Sequence, residues 1–208
     1  MARLNLKFWD FIAKKYARDP VANPVAYQKK LDITRQYMNK DMQVAELACG
    51  TGSTAIAHAP FVNHIYAHDV SAKMLAIAQD KADAANISNI TFTQTKIEDF
   101  HPQNSSFDMV MCHSIFHLLV DKELVLANVF SMLKPGGIFI SSTTCAANMT
   151  IAKLILPVGN FLGLLPFIQF FSPDELLTSF TNAGFHIEQK WQPENSDAIF
   201  VVAKKPIE

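Results

Sequence analysis

The sequence predicts a doubly wound α/β fold, in which helices cover both faces of a mostly parallel sheet. Two observations support this fold class. Short apolar runs of strand character alternate with segments of helical periodicity from residue 44 to residue 143, and the last two such runs are joined by a loop alone. Alternating strands and helices build parallel sheets through right-handed crossovers. Two strands joined by a loop pair antiparallel, so we expect the last strand to run against the others.

Seven segments carry the strand pattern. Each is short, rich in apolar or β-branched residues, and bounded by turn residues or helix caps. They are residues 44–48, 64–68, 90–94, 107–112, 137–143, 185–191 and 198–203. The helices predicted between them are 53–59, 71–85, 121 to about 133, and 172–183, the last opened by a capping box.

Residues 1–40 are predicted to form a helical cap ahead of the sheet. Apolar side chains recur at helical spacing from residue 5 to residue 17, and Asn23-Pro24 suits the start of a second helix. The segment carries nine Lys/Arg and three Asp, a net charge of +6 against −7 for the rest of the chain. This charge is typical of a solvated helical face, or of a basic arm that meets an anionic substrate or a membrane surface.

Length and composition favour a single domain over residues 1–208. The chain is 50% hydrophobic, which suits one substantial core. A net charge of −1 provides no global basic field, so nucleic acid is not an expected partner. Three isolated cysteines argue against structural zinc and disulfides, and no metal site is predicted. With no apolar secretory leader in the first 30 residues, these features favour the cytoplasm.

A glycine-rich turn after the first predicted strand is the main functional signal. Its sequence is Glu46-Leu47-Ala48-Cys49-Gly50-Thr51-Gly52. Glycines at such a turn let a ligand approach the backbone and the helix N-terminus. Asp69 follows the second strand, 19 residues after Gly50, which is a spacing typical of a carboxylate that binds both hydroxyls of a ribose.

The same turn is compatible with dinucleotide binding, because Ala55 completes a Gly-x-Gly-x-x-Ala pattern. Glu46 argues against that interpretation. An acid inside the strand would repel a pyrophosphate, whereas it would attract a ligand with an ammonium or sulfonium group. Two further motifs accompany it: Phe107-Asp108-Met109-Val110 on the fourth strand, and residues 133–137 as a helix exit and tight turn into the fifth.

With these motifs in this order, the chain resembles the class I S-adenosylmethionine-dependent methyltransferases, in particular the small bacterial ubiquinone/menaquinone C-methyltransferase group. The resemblance covers about residues 8–204. It implies a seven-stranded Rossmann-like sheet with the last strand antiparallel, S-adenosylmethionine as cofactor, and methyl transfer by in-line displacement. Alignment of the reactants supplies much of the catalysis in such a reaction, so a strongly marked catalytic residue is not required.

The resemblance also implies roles for the residues of the turn. Gly50 and Gly52 would approach the methionine part of the cofactor. Glu46 would lie near its amino group, and Asp69 would bind the ribose hydroxyls.

The adenine would be bordered by residues 96–99. Many relatives have an acid at the position of Lys96, and a lysine cannot accept the hydrogen bond of the adenine amino group. Glu98 or Asp99 would substitute for it, or the adenine would be held by the backbone amide of Ile97.

Candidates for catalysis follow the fourth strand, because ligands gather at the carboxyl ends of parallel strands. Cys112 is assigned to the cofactor site. His113 is a candidate base or a contact for the cofactor carboxylate, while His117 is more typical of loop packing. Tyr16, on the first helix, is the candidate aromatic near the transferred methyl group, since in relatives such helices close over the cofactor. Core packing explains Tyr16 equally well.

Residues 147–171 are predicted to form an apolar lid over the acceptor. Leu154–Phe171 carries no charged side chain, but internal Pro and Gly residues argue against a membrane-spanning helix. Such a lid favours a small apolar, lipid-like or quinone-like acceptor or shallow membrane docking, although it could merely bury itself. Two other functions stay open: a nicotinamide-dependent oxidoreductase, and a non-catalytic cofactor-binding or membrane-docking module.

Overall fold

The computed structural model describes residues 2–145, 167–194 and 196–207, with side chains from residue 6 onward within these ranges. Helices and strands alternate along most of this part of the chain. The helices are α1 (Ala2–Arg18), α2 (Pro24–Arg35), α3 (Ser53–His58), α4 (Ala72–Ala84), α5 (Lys122–Met132) and α6 (Pro173–Asn182). The strands are β1 (Gln43–Leu47), β2 (His64–Asp69), β3 (Ile90–Gln94), β4 (Phe107–His113), β5 (Leu133–Thr144), β6 (His186–Trp191) and β7 (Ala198–Lys204).

The predicted helix starts are confirmed by their caps. The side chain of Asn23 accepts from the amide of Ala26 and precedes Pro24, and Ser71 accepts from the amide of Met74. The capping box of Ser172 and Glu175 is complete in both directions. Each cap satisfies an amide that the first helical turn leaves without a partner.

The seven strands form one sheet in the order β3-β2-β1-β4-β5-β7-β6. Strands β1 to β5 pair in parallel, and β7 is antiparallel to both β5 and β6. The predicted doubly wound sheet with an antiparallel last strand is therefore confirmed. The chain reverses its direction of winding between β1 and β4, and the carboxyl ends of β2, β1, β4 and β5 meet at one edge of the sheet.

Apolar side chains of the sheet divide between two layers, because successive residues of a strand point to opposite faces. On the first face, Val44, Ile65 and Met109 pack in a cluster with residues of α2, α3 and α4. On the second face, Leu47 and Phe139 pack with residues of α5 and α6. We refer to these as the α2–α4 face and the α5–α6 face.

β5 begins at Leu133, four residues before the predicted strand. Leu133 pairs with Phe107 and Ile138 with Met109, so the residues between Leu133 and Ile138 bulge out of the ladder. Pro135 has no amide to donate there, and Gly136 adopts φ +76°. The predicted tight turn is therefore a bulge inside the strand.

Most of the predicted lid lies outside the described residues, which exclude 146–166. Of its last residues, Phe171 is buried in the cluster on the α5–α6 face, and the amide of Gln169 donates to the carbonyl of His117 at 2.7 Å. Within the described ranges, no helix combines the length and apolar character that crossing a membrane requires. The single-domain boundaries and the cytoplasmic location stay predictions.

Candidate functional site

Four adjacent strands end in polar side chains on the α2–α4 face. Asp69 closes β2, Glu46 lies next to the end of β1, His113 closes β4, and Ser142 is its partner on β5. We call this row the polar edge. Its β2–β1 half carries two acids, and its β4–β5 half carries none.

The loop after β1 is fixed by hydrogen bonds to its neighbours. The amide of Gly50 donates to Asp69 Oδ2 at 2.8 Å, and the amide of Cys49 donates to the carbonyl of His68 at 2.9 Å. From α4, Lys81 Nζ donates to the carbonyl and the hydroxyl of Thr51 at 3.2 and 2.9 Å. The loop is therefore held in shape by the protein itself.

Gly50 and Gly52 both have positive φ, +55° and +71°, but they face different surroundings. Within the described chain, a Cβ on Gly50 would meet only the ring of Tyr16, at 3.8 Å. A Cβ on Gly52 would lie 2.7 Å from Ala78 Cβ and 3.2 Å from the ring of Phe92. The backbone at Gly50 is thus open to a ligand, whereas Gly52 lets α4 and β3 pack closely.

Ala48, which the sequence did not single out, adopts φ +58° in the same loop. This left-handed conformation costs an L-residue with a side chain about 1–2 kcal/mol. Ala48→Gly should therefore raise the free energy of unfolding by about 0.5–1 kcal/mol after the extra entropy of unfolded glycine. Urea melts test this, with Ala67→Gly in the interior of β2 as the control that should lose stability. Equal losses in both variants would contradict strain at Ala48.

Glu46 is 2% exposed, and its Oε2 has no hydrogen-bond partner among the described residues. Burial, reinforced by the neighbouring charge of Asp69 and opposed by the amide of Ala55, raises the pKa of Glu46 to about 8. The carboxyl is mostly protonated at pH 7, and a cation beside it would favour its ionised form. An orphaned carboxyl oxygen of this kind suits an ammonium group.

Asp69 joins the loop after β1 to the start of α4. Besides the amide of Gly50, it accepts the amide of Ser71 on Oδ1 at 2.9 Å. Burial raises the pKa of Asp69, while the amides of Ser71, Gly50 and Val70 lower it. An ionised carboxylate offers about four acceptor positions, so capacity remains for the ribose hydroxyls that the sequence predicts.

Helix α1 lies over the acidic half of the polar edge. Asp10 Oδ1 accepts from the hydroxyl of Ser71 at 2.5 Å and from the amide of Lys73 at 3.3 Å, which ties α1 to the N-terminus of α4. The ring of Tyr16 covers Gly50. Burial and the charges of Asp69 and Glu46 raise the pKa of Tyr16, so its hydroxyl stays protonated and can donate. Asp10 carried no recognisable signal in the sequence.

His113 and its surroundings form the other half. Burial and the charge of Lys30 lower the pKa of His113 to about 4, so the imidazole is neutral at pH 7 and a weak base. Lys30 extends from α2 and donates to the hydroxyl of Ser142 at 2.6 Å. His58 of α3 is fully buried. Neither Lys30 nor His58 carries a functional signal in the sequence, because each lies within a helix and away from the glycine turn.

The remaining predicted residues lie away from the polar edge or at its rim. Cys112 is fully buried on the α5–α6 face, where burial raises the pKa of its thiol, so its backbone alone could reach a ligand. Ile97 and Glu98 belong to a short 3₁₀ turn, with Ile97 half-buried against the core and Glu98 exposed. His117 Nδ1 lies 3.1 Å from Thr143 Oγ1, which fits loop packing. The adenine contacts and the catalytic roles stay predictions.

Comparison with known proteins agrees with this geometry. A family model described as a methyltransferase domain matches residues 38–160, more than half of the chain and all of the polar edge. The chain is similar to the crystal structure of the YcgJ protein from Bacillus subtilis, with a TM-score of 0.70 at 18% identity, over 86% of this chain and 99% of that one. That likeness concerns the fold.

Two curated relatives have names that include a reaction. A ubiquinone biosynthesis O-methyltransferase from Nitrobacter winogradskyi is 25% identical over 203 residues, covering 91% of this chain and 77% of the relative. A demethylmenaquinone methyltransferase from Leptospira interrogans is 30% identical over 141 residues, covering 62% and 56%. The chain spans from 24% to 77% of the length of the first three curated relatives.

Proposed function

The chain belongs to the methyltransferase-domain family, and on that premise we propose that it transfers a methyl group from S-adenosylmethionine to a small acceptor that is apolar or quinone-like. The alternatives from the sequence, a nicotinamide-dependent oxidoreductase and a non-catalytic module, make different predictions for cofactor binding and turnover.

One observation carries the proposal: the backbone is open at Gly50, in a loop that follows the buried Glu46 and is bonded to the buried Asp69. Asp69 is bonded to the Gly50 amide, and Glu46 presents an oxygen with no partner in the described chain. Such an arrangement suits a ligand with an ammonium group and a ribose. A dinucleotide would bring a pyrophosphate, and not an ammonium group, to the unpartnered carboxyl of Glu46, which is less favourable.

The residues divide the work of holding this cofactor. Glu46 would bind the ammonium group of the cofactor, and Asp69 would bind its ribose hydroxyls. Gly50, which has no side chain, would let the cofactor lie close to the backbone, and Tyr16 of α1 would cover the site. When bound, the cofactor supplies a methyl group already activated by the positive charge on its sulfur. The chain's own contribution is to position the acceptor and exclude water, because His113 is too weak a base to remove a proton efficiently at pH 7.

An apolar acceptor is supported by two observations. The sequence between β5 and α6 has a long charge-free segment, Leu154–Phe171. The relatives named above include a ubiquinone O-methyltransferase and a demethylmenaquinone methyltransferase. Reduced quinones and their phenolic precursors are therefore the first acceptors to test.

The decisive experiment is calorimetric titration with S-adenosylhomocysteine beside NADH and NADPH, followed by transfer of a labelled methyl group to a panel of hydroquinones and phenols. We expect S-adenosylhomocysteine alone to bind, with a micromolar Kd, and at least one acceptor to be labelled. Binding of a nicotinamide nucleotide instead would support the oxidoreductase. Cofactor binding with no labelled acceptor across the panel would support the non-catalytic module.

Asp69→Ala should weaken S-adenosylhomocysteine binding by roughly 1.5–3 kcal/mol, about ten- to a hundredfold. The variant loses the proposed ribose contact and also the hydrogen bonds that Asp69 accepts from the amides of Gly50 and Ser71. Asp83→Ala, an exposed acid on α4, is the matched control and should bind normally. A folded Asp69→Ala protein with unchanged affinity would remove Asp69 from the site.

A further inference from the structure

We propose that Lys30, His113 and Ser142 form an anion-binding subsite for the acceptor, which takes a carboxylate or an ionised phenol or enol oxygen on an otherwise apolar molecule. This inference rests on the proposed function and specifies the chemistry of its acceptor. It concerns the side chains on the β4–β5 half of the polar edge.

Lys30 is the first part of the argument. Its ammonium is half-buried and donates to Ser142 Oγ at 2.6 Å, across 112 residues of sequence. Among the described residues, no carboxylate lies within 4.0 Å of it. Burial lowers the pKa of Lys30. A half-buried ammonium with no carboxylate beside it is suited to receive an anion from outside.

His113 is the second part. Its Nε2 is buried without a hydrogen-bond partner in the described chain, although the residue closes β4 directly beside Ser142. Lys30 contacts Ser142, which is the strand partner of His113, so the three side chains belong to the same end of the polar edge. Buried polar atoms without partners are rare, and a ligand bound beside Lys30 and Ser142 would supply one for His113 Nε2.

The donors match an anionic oxygen. An ammonium has three hydrogens, of which the Ser142 contact uses one. The Ser142 hydroxyl keeps its own proton to donate while it accepts from Lys30. A neutral imidazole can donate from one ring nitrogen. Charge-assisted hydrogen bonds of this kind are shorter and stronger than neutral ones, which favours an ionised ligand over its neutral form.

The position along the edge agrees with the charges. The acids Asp69 and Glu46 end β2 and β1, while Lys30 and His113 lie at β5 and β4. A cationic cofactor on the first half and an anionic acceptor on the second would each meet the opposite charge. The two would also attract each other along the row, which favours the approach of the acceptor toward the methyl donor.

The test uses benzoate and 4-nitrophenolate as anionic probes and benzamide as the neutral isostere of benzoate. Each is titrated calorimetrically into the full chain, with and without saturating S-adenosylhomocysteine. The proteins are the wild type, Lys30→Met, Lys30→Arg and the control Lys29→Met, which removes the adjacent exposed lysine of α2. Circular dichroism and thermal melts check that each variant is folded.

We expect at least one anion to bind the wild type more tightly than benzamide, and to bind Lys30→Met at least tenfold more weakly. Lys30→Arg and Lys29→Met should keep most of the affinity, and the relative strength of the two anions tells a carboxylate from a phenolate subsite. Equal binding of anions and benzamide, or equal loss in Lys29→Met, would overturn the subsite. If Lys30→Met does not fold, Ser142→Ala with the same probes takes its place.

Failure of the two proposals is distinguishable. If S-adenosylhomocysteine does not bind the wild type, the proposed function fails, while the titrations without it still test the anion site. If S-adenosylhomocysteine binds and the anions do not, the subsite alone is wrong.

Discussion

Gly52→Ala should lower the free energy of unfolding by roughly 1.5–4 kcal/mol, whereas Gly50→Ala should lower it by about 0.5–1 kcal/mol, once the smaller entropy of unfolded alanine is subtracted from the strain. Both positions have positive φ, so both variants carry the strain of an alanine in the left-handed region. At Gly52 the new Cβ also lies 2.7 Å from Ala78 Cβ, a side chain with no freedom to move, so α4 has to shift. Urea unfolding of the two variants measures the difference.

For cofactor affinity the order should reverse, with Gly50→Ala showing the larger loss and Gly52→Ala the smaller. Gly50→Ala places a methyl group in the open approach beside Glu46 and Asp69, so it should weaken S-adenosylhomocysteine binding at least tenfold while most of the stability is kept. Gly52→Ala, measured where it is still folded, should bind more nearly like the wild type. Equal effects of the two variants on both quantities would mean that the loop does not divide packing from binding in this way.

The protein should be most stable near pH 6.5 and lose stability steeply on acidification. Burial lowers the pKa of three histidines: His58 to about 3, and His68 and His113 to about 4. Below pH 6.5 these residues are protonated in the unfolded chain but stay neutral in the folded one. Each then removes about 1.4 kcal/mol of stability per pH unit until the folded pKa is reached.

Glu46 acts in the opposite sense. Its pKa of about 8 in the folded protein lies above the ordinary value, so the folded state holds a proton that the unfolded chain has released. Stability therefore falls as pH rises from about 4.5 to 8, and Asp69, whose pKa is also raised, contributes in the same direction at lower pH. Between pH 4.5 and 6.5 the three histidines outweigh Glu46, and the net acid slope is about 2.7 kcal/mol per pH unit.

Chemical unfolding at a series of pH values tests both slopes. Glu46→Gln should remove the decline between pH 6.5 and 8, since glutamine has no proton to release. His58→Gln should reduce the acid slope by about one proton, or 1.4 kcal/mol per pH unit, and leave the alkaline slope intact. A wild-type stability that falls as pH rises from 4.5 to 6.5 would show that the buried histidines are protonated in the folded state, because Glu46 alone would then set the slope.

Local sequence patterns were sufficient for the order of elements and for the two acids on the β2–β1 half of the polar edge. Strands and helices have different side-chain periods, so the sequence predicts their alternation along the chain. Caps such as Ser71 and Ser172 can be predicted because each acts on the helix that directly follows it. The positions of the glycine turn and Asp69 could be predicted, because the first strand-to-helix turn and the end of the next strand lie at the same edge of such a sheet. The predicted start of β5 is wrong. Pro135 and Gly136 resemble a turn in sequence, but pairing with β4 on both sides of them makes them a bulge within the strand.

The sequence by itself therefore determined the doubly wound sheet, the antiparallel last strand and the acids beside the glycine turn, since each depends on neighbours close along the chain. Only the tertiary structure decided the rest. Lys30 meets Ser142 across 112 residues, Asp10 meets Ser71 across 61, and Gly52 meets Ala78 on another helix. The pKa values of Glu46 and His113 depend on burial and on charges from other elements, and no local pattern encodes either quantity.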